Sequence, residues 1–251
     1  MASDPNAPVA IIIPTRLGSV RLPRKVLLAE TGKPLIQHVF EAASRATVTD
    51  RVVVACDHDE IATAVKAFGG EAVITGEHPN GTSRLEEAAR LLGMPDDGIV
   101  VNVQGDEPEM EASLVDDAVK LIRETDADVT TIVSRFAPED DPTKPSVVKA
   151  VLTRDGKALY FSRALVPHDR DGEGDCPPLK HIGLYVYRVA ALKRYVALPE
   201  CPLEKSEKLE QLRFLDGGMT IRAVVRESRS VGIDTRADYE AFVSRHRSNK
   251  V

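Results

Sequence analysis

The stretch Val9-Ala10-Ile11-Ile12-Ile13 decides the fold, because this short β-branched run leads directly into a loop that is rich in cations. The loop, residues 14–25, reads PTRLGSVRLPRK. A strand that is apolar along its whole length is typical of a parallel sheet covered on both faces. Open α/β sheets bind ligands at the carboxyl ends of such strands. The stretch therefore predicts an α/β fold with a polyphosphate site directly after the first strand.

Apolar runs alternate with helical patterns through the first half of the chain, which is typical of βαβ units around a mostly parallel sheet. We expect Asp57 to cap the second helix, and Ser83 with Glu86 to form a capping box at the head of the third. Asp155-Gly156 predicts a hairpin, and the pattern over residues 203–215 predicts one helix. No repeat or break in composition marks a second domain, so we expect a single domain over residues 1–251.

Composition excludes several classes of protein. The 33 Lys and Arg residues face 39 Asp and Glu residues, a formal charge of −6, whereas a nucleic-acid-binding domain needs a broad basic stripe. The apolar runs are too short to span a bilayer, and the N-terminus lacks the pattern of a signal peptide. Three widely spaced cysteines without a Cys-x-x-Cys motif argue against disulfides and structural zinc. We therefore expect a soluble cytoplasmic protein without membrane insertion.

The loop after the first strand carries Arg16, Arg21, Arg24 and Lys25, and Gly18 lets the backbone approach a phosphate closely. It matches neither the Walker pattern nor the Rossmann glycine pattern. A solvated basic turn is the alternative. We favour a phosphate site because the loop follows a buried strand.

Two aspartates are candidate Mg²⁺ ligands. Asp106 follows the strand that begins at Ile99, and Asp234 follows a shorter apolar stretch. Mg²⁺ takes few oxygen ligands from protein and the rest from phosphate and water, so one or two aspartates facing a triphosphate suffice. The alternatives are a turn-forming role for Asp106 and a helix N-cap for Asp234.

Other candidates are weaker when taken singly. Asn80, Gly81, Thr82 and Arg84 lie at a helix start, where a nucleotide or simple capping explains them equally well. For Arg163, His181 and the Glu210-Gln211 pair, the alternatives are a surface cation, a structural histidine and an exposed helix face. Together they suggest a wall that recognises an acid, with Arg163 for a carboxylate and His181 and Gln211 for sugar hydroxyls.

The chain resembles the 3-deoxy-manno-octulosonate cytidylyltransferases, the CMP-Kdo synthetases of lipopolysaccharide biosynthesis. The resemblance covers nearly the whole chain, and its motifs occur in the family's order. They are IPTR through RLPRK (13–25), VNVQGDEP (101–108), LYFSR (159–163), KHIGLY (180–185), LEQLR (209–213) and GIDT (232–235).

The resemblance implies a three-layer αβα nucleotide-diphospho-sugar transferase fold, Rossmann-like, with a mixed, mostly parallel central sheet. It implies a nucleotide-binding half near residues 9–135 and a smaller β-rich lobe near 145–230 for sugar binding and dimerisation. It further implies a homodimer that uses CTP, a 2-keto-3-deoxy sugar acid and Mg²⁺. By motif position, the implied site residues are Arg16, Arg21 and Lys25 for the triphosphate, Asn80, Gly81, Arg84 and Gln104 for the cytidine, Pro14 and Thr15 as further substrate contacts, Asp106 and Asp234 for the metal, and Arg163, His181, Tyr185, Glu210 and Gln211 for the sugar acid.

Three positions depart from the family pattern. Thr15 replaces a small residue, Arg24 replaces a glycine and Asn80 replaces a serine. The implied reaction transfers CMP from CTP to the anomeric hydroxyl of the sugar acid, with Arg16, Lys25, Asp106 and Asp234 as the catalytic set. The alternatives are a nucleotidyltransferase of the same fold that acts on sialic acid or a sugar 1-phosphate, and a non-catalytic nucleotide-binding protein.

Overall fold

The computed structural model describes residues 6–19, 21–49, 51–228 and 230–248. Contacts divide the chain into two compact units. We call residues 8–94, 100–116 and 229–251 the first-strand unit, and residues 1–7, 95–99 and 117–228 the hairpin unit. Val20 of the predicted phosphate loop lies outside the described residues. The single domain and its two halves stay predictions.

The first-strand unit is built on parallel strands. The order of its strands is β3-β2-β1-β4, with β1 parallel to β2 and β2 parallel to β3. Residues 11–13 of β1 are fully buried, as their apolar sequence requires. The elements are β1 (Val9–Thr15), a 3₁₀ turn (Lys25–Leu27), α1 (Leu35–Ala43), β2 (Arg51–Cys56), α2 (Asp59–Ala67), β3 (Glu71–Ile74), α3 (Gly81–Leu91), β4 (Ile99–Asn102, whose first residue belongs to the hairpin unit) and α8 (Arg236–Ser248).

Two predicted caps in this unit are wrong. His58, not Asp57, caps α2, because its Nδ1 accepts the Glu60 N–H at 3.2 Å. Asn80, not Ser83, caps α3, because Asn80 Oδ1 accepts the Ser83 N–H at 2.9 Å. An asparagine is as good a cap as a serine, so the helix begins one turn earlier than the capping-box spacing suggests.

The hairpin unit contains a mixed arrangement of strands. β5 pairs antiparallel with β8 and parallel with β9, while β6 and β7 form the predicted hairpin around Gly156, whose φ is +82°. The elements are α4 (Ala112–Glu124, which begins in the first-strand unit), β5 (Val129–Arg135), β6 (Lys149–Leu152), β7 (Ala158–Ser162), β8 (Leu179–Arg188), α5 (Val189–Ala197), α6 (Pro202–Glu207), α7 (Gln211–Asp216) and β9 (Ile221–Val225).

The single helix predicted over residues 203–215 is two helices in the structure. Lys208 adopts a left-handed conformation with φ +54° and ends α6, where its N–H bonds to Glu204 O. A buried bidentate ion pair joins the two helices, since Arg213 Nε and an Nη lie 2.6 and 2.7 Å from the Glu204 carboxylate. The helical pattern of the sequence runs on through Lys208, so it does not reveal this break.

The three cysteines are free, as predicted. Among the described residues, no helix combines the length and the apolar character needed to cross a membrane.

Candidate active site

The ammonium of Lys25 links the two predicted metal ligands in the first-strand unit. Its Nζ lies 2.7 Å from Asp106 Oδ2 and 3.6 Å from Asp234 Oδ1, and it donates to Ile233 O at 2.6 Å. The Lys25 side chain is only 11 % exposed. Residues that are 81 and more than 200 positions away from it in sequence therefore meet at one cation.

Asp106 is placed by a close approach between two loops. A Cβ added at Gly105 would lie 2.7 Å from Thr15 Cγ2 and 3.0 Å from Pro14 O, so only glycine fits there. Asp106 O in turn accepts the Ile233 N–H at 2.9 Å, which holds the segment before Asp234 alongside. Gly105 and this backbone bond bring Asp106 and Asp234 to the same end of the unit.

Asp234 is available to bind cations because its neighbours cap α8. Thr235 Oγ1 accepts the Asp238 N–H at 3.2 Å, and Asp238 Oδ2 accepts the backbone N–H groups of Asp234 and Thr235. The Asp234 carboxylate instead accepts a bond from Arg21 at 2.8 Å. The N-cap alternative for Asp234 is therefore wrong in this structure.

The cations of the loop differ in their surroundings. Arg16 is exposed, and the side chain of Arg21 is 66 % exposed. Arg24 adopts a left-handed conformation with φ +56°, which explains why the family pattern has glycine at this position, and its guanidinium pairs with Glu60. The charge that Arg24 adds is therefore directed to α2.

Sequence reasoning missed the role of Asp57, which it assigned to a helix cap. Asp57 Oδ1 accepts the Leu17 N–H at 3.0 Å, and Asp57 Oδ2 lies 3.7 Å from an Arg84 Nη. One carboxylate thus connects the predicted phosphate loop to the predicted cytidine side. The only signal for Asp57 was its place directly after the buried end of β2.

The predicted cytidine side is a turn between β3 and α3. Gly81 lies near Pro14, since an added Cβ would be 4.0 Å from the Pro14 ring, and Thr15 is buried with its hydroxyl donating to Ala55 O at 3.3 Å. Arg84 is buried, and its guanidinium donates to the Thr75 hydroxyl and to Gly76 O. Gln104 is half-buried after β4. The turn therefore lies beside the end of β1.

A second unpredicted contact supports this turn. Glu87 Oε2 lies 2.6 Å from His78 Nε2 and accepts the Gly76 N–H at 2.9 Å. The hydrogen bond from His78 lowers the pKa of the Glu87 carboxyl, which is therefore ionised at neutral pH. His78 Nδ1 lies 3.2 Å from Ser83 Oγ on the first turn of α3. Gly76 and His78, in the turn between β3 and α3, are thus both hydrogen-bonded to side chains of α3.

Glu107 follows Asp106 and has an unusual acidity. Burial, and secondly the Asp106 carboxylate, raise the pKa of Glu107 to about 7, although the hydrogen bond from Ser230 Oγ at 3.3 Å acts in the opposite direction. No role was predicted for Glu107.

In the hairpin unit, two predicted sugar-acid residues lie together. The rings of His181 and Tyr185 are 5.1 Å apart, and Phe161 contacts His181 edge-on at 5.0 Å. Burial lowers the pKa of His181 to about 3, and burial raises that of Tyr185. Thr131 donates to Leu184 O at 2.7 Å, so the bond of 3.0 Å between its oxygen and His181 requires the proton on Nε2.

Arg163 is held by backbone carbonyls. Its guanidinium donates to Glu207 O at 2.7 Å, Pro145 O at 3.0 Å and Lys208 O at 3.3 Å. Its own carbonyl accepts a bond from Lys149, a fully buried ammonium whose pKa burial lowers. Three of the five guanidinium N–H groups are engaged, so these contacts leave two for a substrate carboxylate.

The Glu210-Gln211 pair lies at the start of α7, and only Leu209 separates it from the left-handed Lys208. Gln211 is buried, so the alternative of an exposed helix face is wrong for it. Glu210 is close enough to contribute to the raised pKa of Tyr185. The structure therefore brings Tyr185 and Glu210 into one electrostatic environment.

The donor set of the Lys25 site fits Mg²⁺. Two carboxylates already converge on one cation there, and oxygen ligands suit this hard ion. Over the described ranges no group of three or more His, Cys, Asp or Glu side chains could hold a metal. A pair is nevertheless sufficient, because phosphates and water complete the coordination of Mg²⁺ at nucleotide sites.

Comparison with known proteins shows the family of this chain. Residues 10–221 match the cytidylyltransferase family. The chain is 44 % identical over 232 residues to a 3-deoxy-manno-octulosonate cytidylyltransferase of Desulfatibacillum aliphaticivorans, covering 92 % of this chain and 95 % of the relative. It is 45 % identical over 235 residues to the protein of the same name from Syntrophobacter fumaroxidans, covering 92 % and 94 %.

Solved structures give the same result for the fold. The structure of CMP:2-keto-3-deoxy-manno-octonic acid synthetase complexed with CTP superposes with a TM-score of 0.91 at 37 % identity, over 97 % of this chain and 100 % of that one. A cytidylyltransferase from Leptospira borgpetersenii, 17 % identical with a TM-score of 0.64 over 95 % of this chain and 86 % of that one, shares the fold. The predicted α/β fold with a mixed, mostly parallel central sheet is confirmed.

Proposed function

This chain is a member of the cytidylyltransferase family, and we propose that it transfers CMP from CTP to the anomeric hydroxyl of 3-deoxy-D-manno-octulosonate (Kdo), for lipopolysaccharide biosynthesis. The observation that carries the proposal is the convergence of Asp106 and Asp234 on Lys25 beside a loop with further arginines. Relatives that are 44 and 45 % identical over most of the chain bear the name of this activity.

The proposed reaction is an in-line displacement at phosphorus. The anomeric oxygen forms a bond to the α-phosphorus, while the bond from that phosphorus to the bridging oxygen of the β-phosphate breaks. Pyrophosphate leaves with the electron pair, and the hydroxyl proton passes to solvent. Such a reaction needs positioning and charge neutralisation more than a dedicated base.

In this proposal the loop cations act on the phosphates. Lys25, the least exposed of them, neutralises charge that develops on the α-phosphate, and Arg16 and Arg21 hold the leaving pyrophosphate. Asp106 and Asp234 would hold Mg²⁺, which when bound supplies charge neutralisation and lowers the pKa of the hydroxyl. Asn80, Gly81, Arg84 and Gln104, with Pro14 and Thr15, bind the cytidine side.

We assign the sugar acid to the hairpin unit. Arg163 binds the carboxylate through its remaining N–H groups. His181 is neutral at physiological pH, so it meets a sugar hydroxyl as an uncharged partner. Tyr185, Glu210 and Gln211 complete the set. The homodimer and the cytoplasmic location belong to the proposal too, and the exposed Leu159 and Leu165 are apolar surface of the kind that a dimerisation lobe presents.

Pyrophosphate release tests the proposal. We expect turnover with CTP, Kdo and Mg²⁺, and little with the other three nucleoside triphosphates, sialic acid or sugar 1-phosphates. Asp106→Asn should lower kcat by orders of magnitude, whereas Asp97→Asn, at an exposed aspartate, should not. Near wild-type release from a folded Asp106→Asn variant would contradict the metal assignment. CTP binding without turnover of any sugar acid would instead indicate a non-catalytic protein.

A further inference from the structure

Ion pairs join four charged side chains at this site, and the charges of these four balance. Asp106 and Asp234 carry two negative charges, and Lys25 and Arg21 lie within 4 Å of them with two positive charges. The two cations are not equivalent, because the Lys25 side chain is 11 % exposed and that of Arg21 is 66 % exposed. Water screens the Arg21 pair more strongly, so Lys25 dominates the local field.

A divalent cation that approaches the Asp106 carboxylate alone meets the Lys25 ammonium. Glu107 and Asp238 lie near the two aspartates and add acidic groups, but the ammonium is only 2.7 Å from Asp106 Oδ2 and repels any second cation that binds the same carboxylate. Mg²⁺ also requires its oxygen ligands at about 2.0–2.1 Å, so it needs the carboxylate lone pairs that the ammonium now uses.

A triphosphate changes this balance. It brings several negative charges to the loop and offers Lys25 new acceptors, and a lysine carries its charge on a flexible four-carbon stem that can exchange partners. Once the ammonium turns towards phosphate, the carboxylate oxygen of Asp106 that it now contacts would be free to hold a divalent cation.

We propose that Lys25 occupies the place of the divalent cation until a triphosphate binds, so that metal binding by the two aspartates depends on the nucleotide. The inference rests on the proposed function only in naming a triphosphate as the anion that draws Lys25 away. It adds a role for Lys25 before the reaction, distinct from its contact with phosphate during it.

Binding of Mn²⁺ to the nucleotide-free protein tests the inference, with free Mn²⁺ followed by electron paramagnetic resonance. Lys25→Met should bind Mn²⁺ about tenfold more tightly than the wild type, because two half-buried carboxylates lose their closest cation. Lys25→Arg keeps the charge and should bind as weakly as the wild type. Lys33→Met, which removes a lysine paired with Glu41 elsewhere in the unit, is the matched control and should also leave Mn²⁺ affinity unchanged.

Adding Asp106→Asn to Lys25→Met should abolish the tighter binding, which locates it at this site. If folded Lys25→Met binds Mn²⁺ no more tightly than the wild type, the inference is overturned. Lys25→Gln, which is also uncharged but more polar, repeats the measurement should the methionine variant fail to fold. Because no substrate is present, the result is independent of whether the protein turns over CTP and Kdo.

Discussion

The stability of this protein should respond to the protonation of His181. Its ring lies among Phe161, Tyr185 and Thr131, and burial lowers its pKa to about 3 from an ordinary value of 6.5. Thr131 already fixes the proton on Nε2, so acid must place a second proton on Nδ1 and bury a charge. The native state resists this protonation, whereas the unfolded chain accepts it.

The direction and size of this change in stability follow from the linkage between proton binding and unfolding. Between pH 6.5 and 3 the unfolded chain binds more protons than the native state at this residue, so the free energy of unfolding falls as the pH falls. The slope approaches about 1.4 kcal/mol per pH unit, which gives a loss of about 2–3 kcal/mol between pH 7.5 and 4.5. Above pH 7 the residue contributes almost no pH dependence.

Urea unfolding at a series of pH values measures this effect. His181→Gln keeps an N–H donor but cannot titrate, so the wild type should lose stability relative to it as the pH falls from 7.5 to 4.5. His168→Gln, at an exposed histidine, should follow the wild type throughout. Parallel curves for the wild type and His181→Gln would refute the assignment of a neutral imidazole whose pKa is lowered in the native state.

Two further predictions concern packing and ion pairing. Glu204→Gln breaks the buried bidentate pair with Arg213 and should lower the free energy of unfolding by about 3 kcal/mol, whereas Glu240→Gln, in an exposed i,i+4 pair, should change it by less than about 0.5 kcal/mol. Urea titration of both variants checks this contrast. Gly105→Ala forces a contact of 2.7 Å and should cost about 1–3 kcal/mol in thermal unfolding and weaken CTP binding, while Gly18→Ala, with open space around its Cα, should leave stability nearly unchanged.

Much of the first-strand unit could be predicted because short stretches of sequence determine its strands and the charged groups that follow them. An apolar strand followed by cations, or by an aspartate, places these groups at the end of a parallel strand. Lys25 and Asp106 meet for this reason. The sequence could not decide whether Asp234 caps α8 or faces the loop cations. Its carboxylate faces Arg21 because Thr235 and Asp238 form the cap of α8 instead.

What could not be predicted depends on partners distant in sequence. Asp57 has the sequence signature of a cap, but the Leu17 N–H, 40 positions earlier, claims its carboxylate. The break at Lys208 occurs without any helix-breaking residue, and the pair of Glu204 and Arg213 joins the two helices across it. For Asp57, a local propensity of about 1 kcal/mol yields to a contact that exists only after the chain has folded.

The cations of the two predicted anion sites have different partners: carboxylates in the first-strand unit and mainly backbone carbonyls in the hairpin unit. Lys25 and Arg21 are paired with carboxylates, so in the proposed function an arriving triphosphate must compete with Asp106 and Asp234 for these cations. Arg163 and Lys149 are held mainly by backbone carbonyls, which lower the cost of burial without cancelling charge. The acidic side chains that act on Lys149 are Glu207, whose carboxylate also accepts the Arg163 backbone N–H, and Asp141. In the proposed function, the guanidinium N–H groups that the backbone carbonyls leave open on Arg163 therefore bind the carboxylate of the sugar acid directly, whereas binding of the triphosphate requires an exchange of ions.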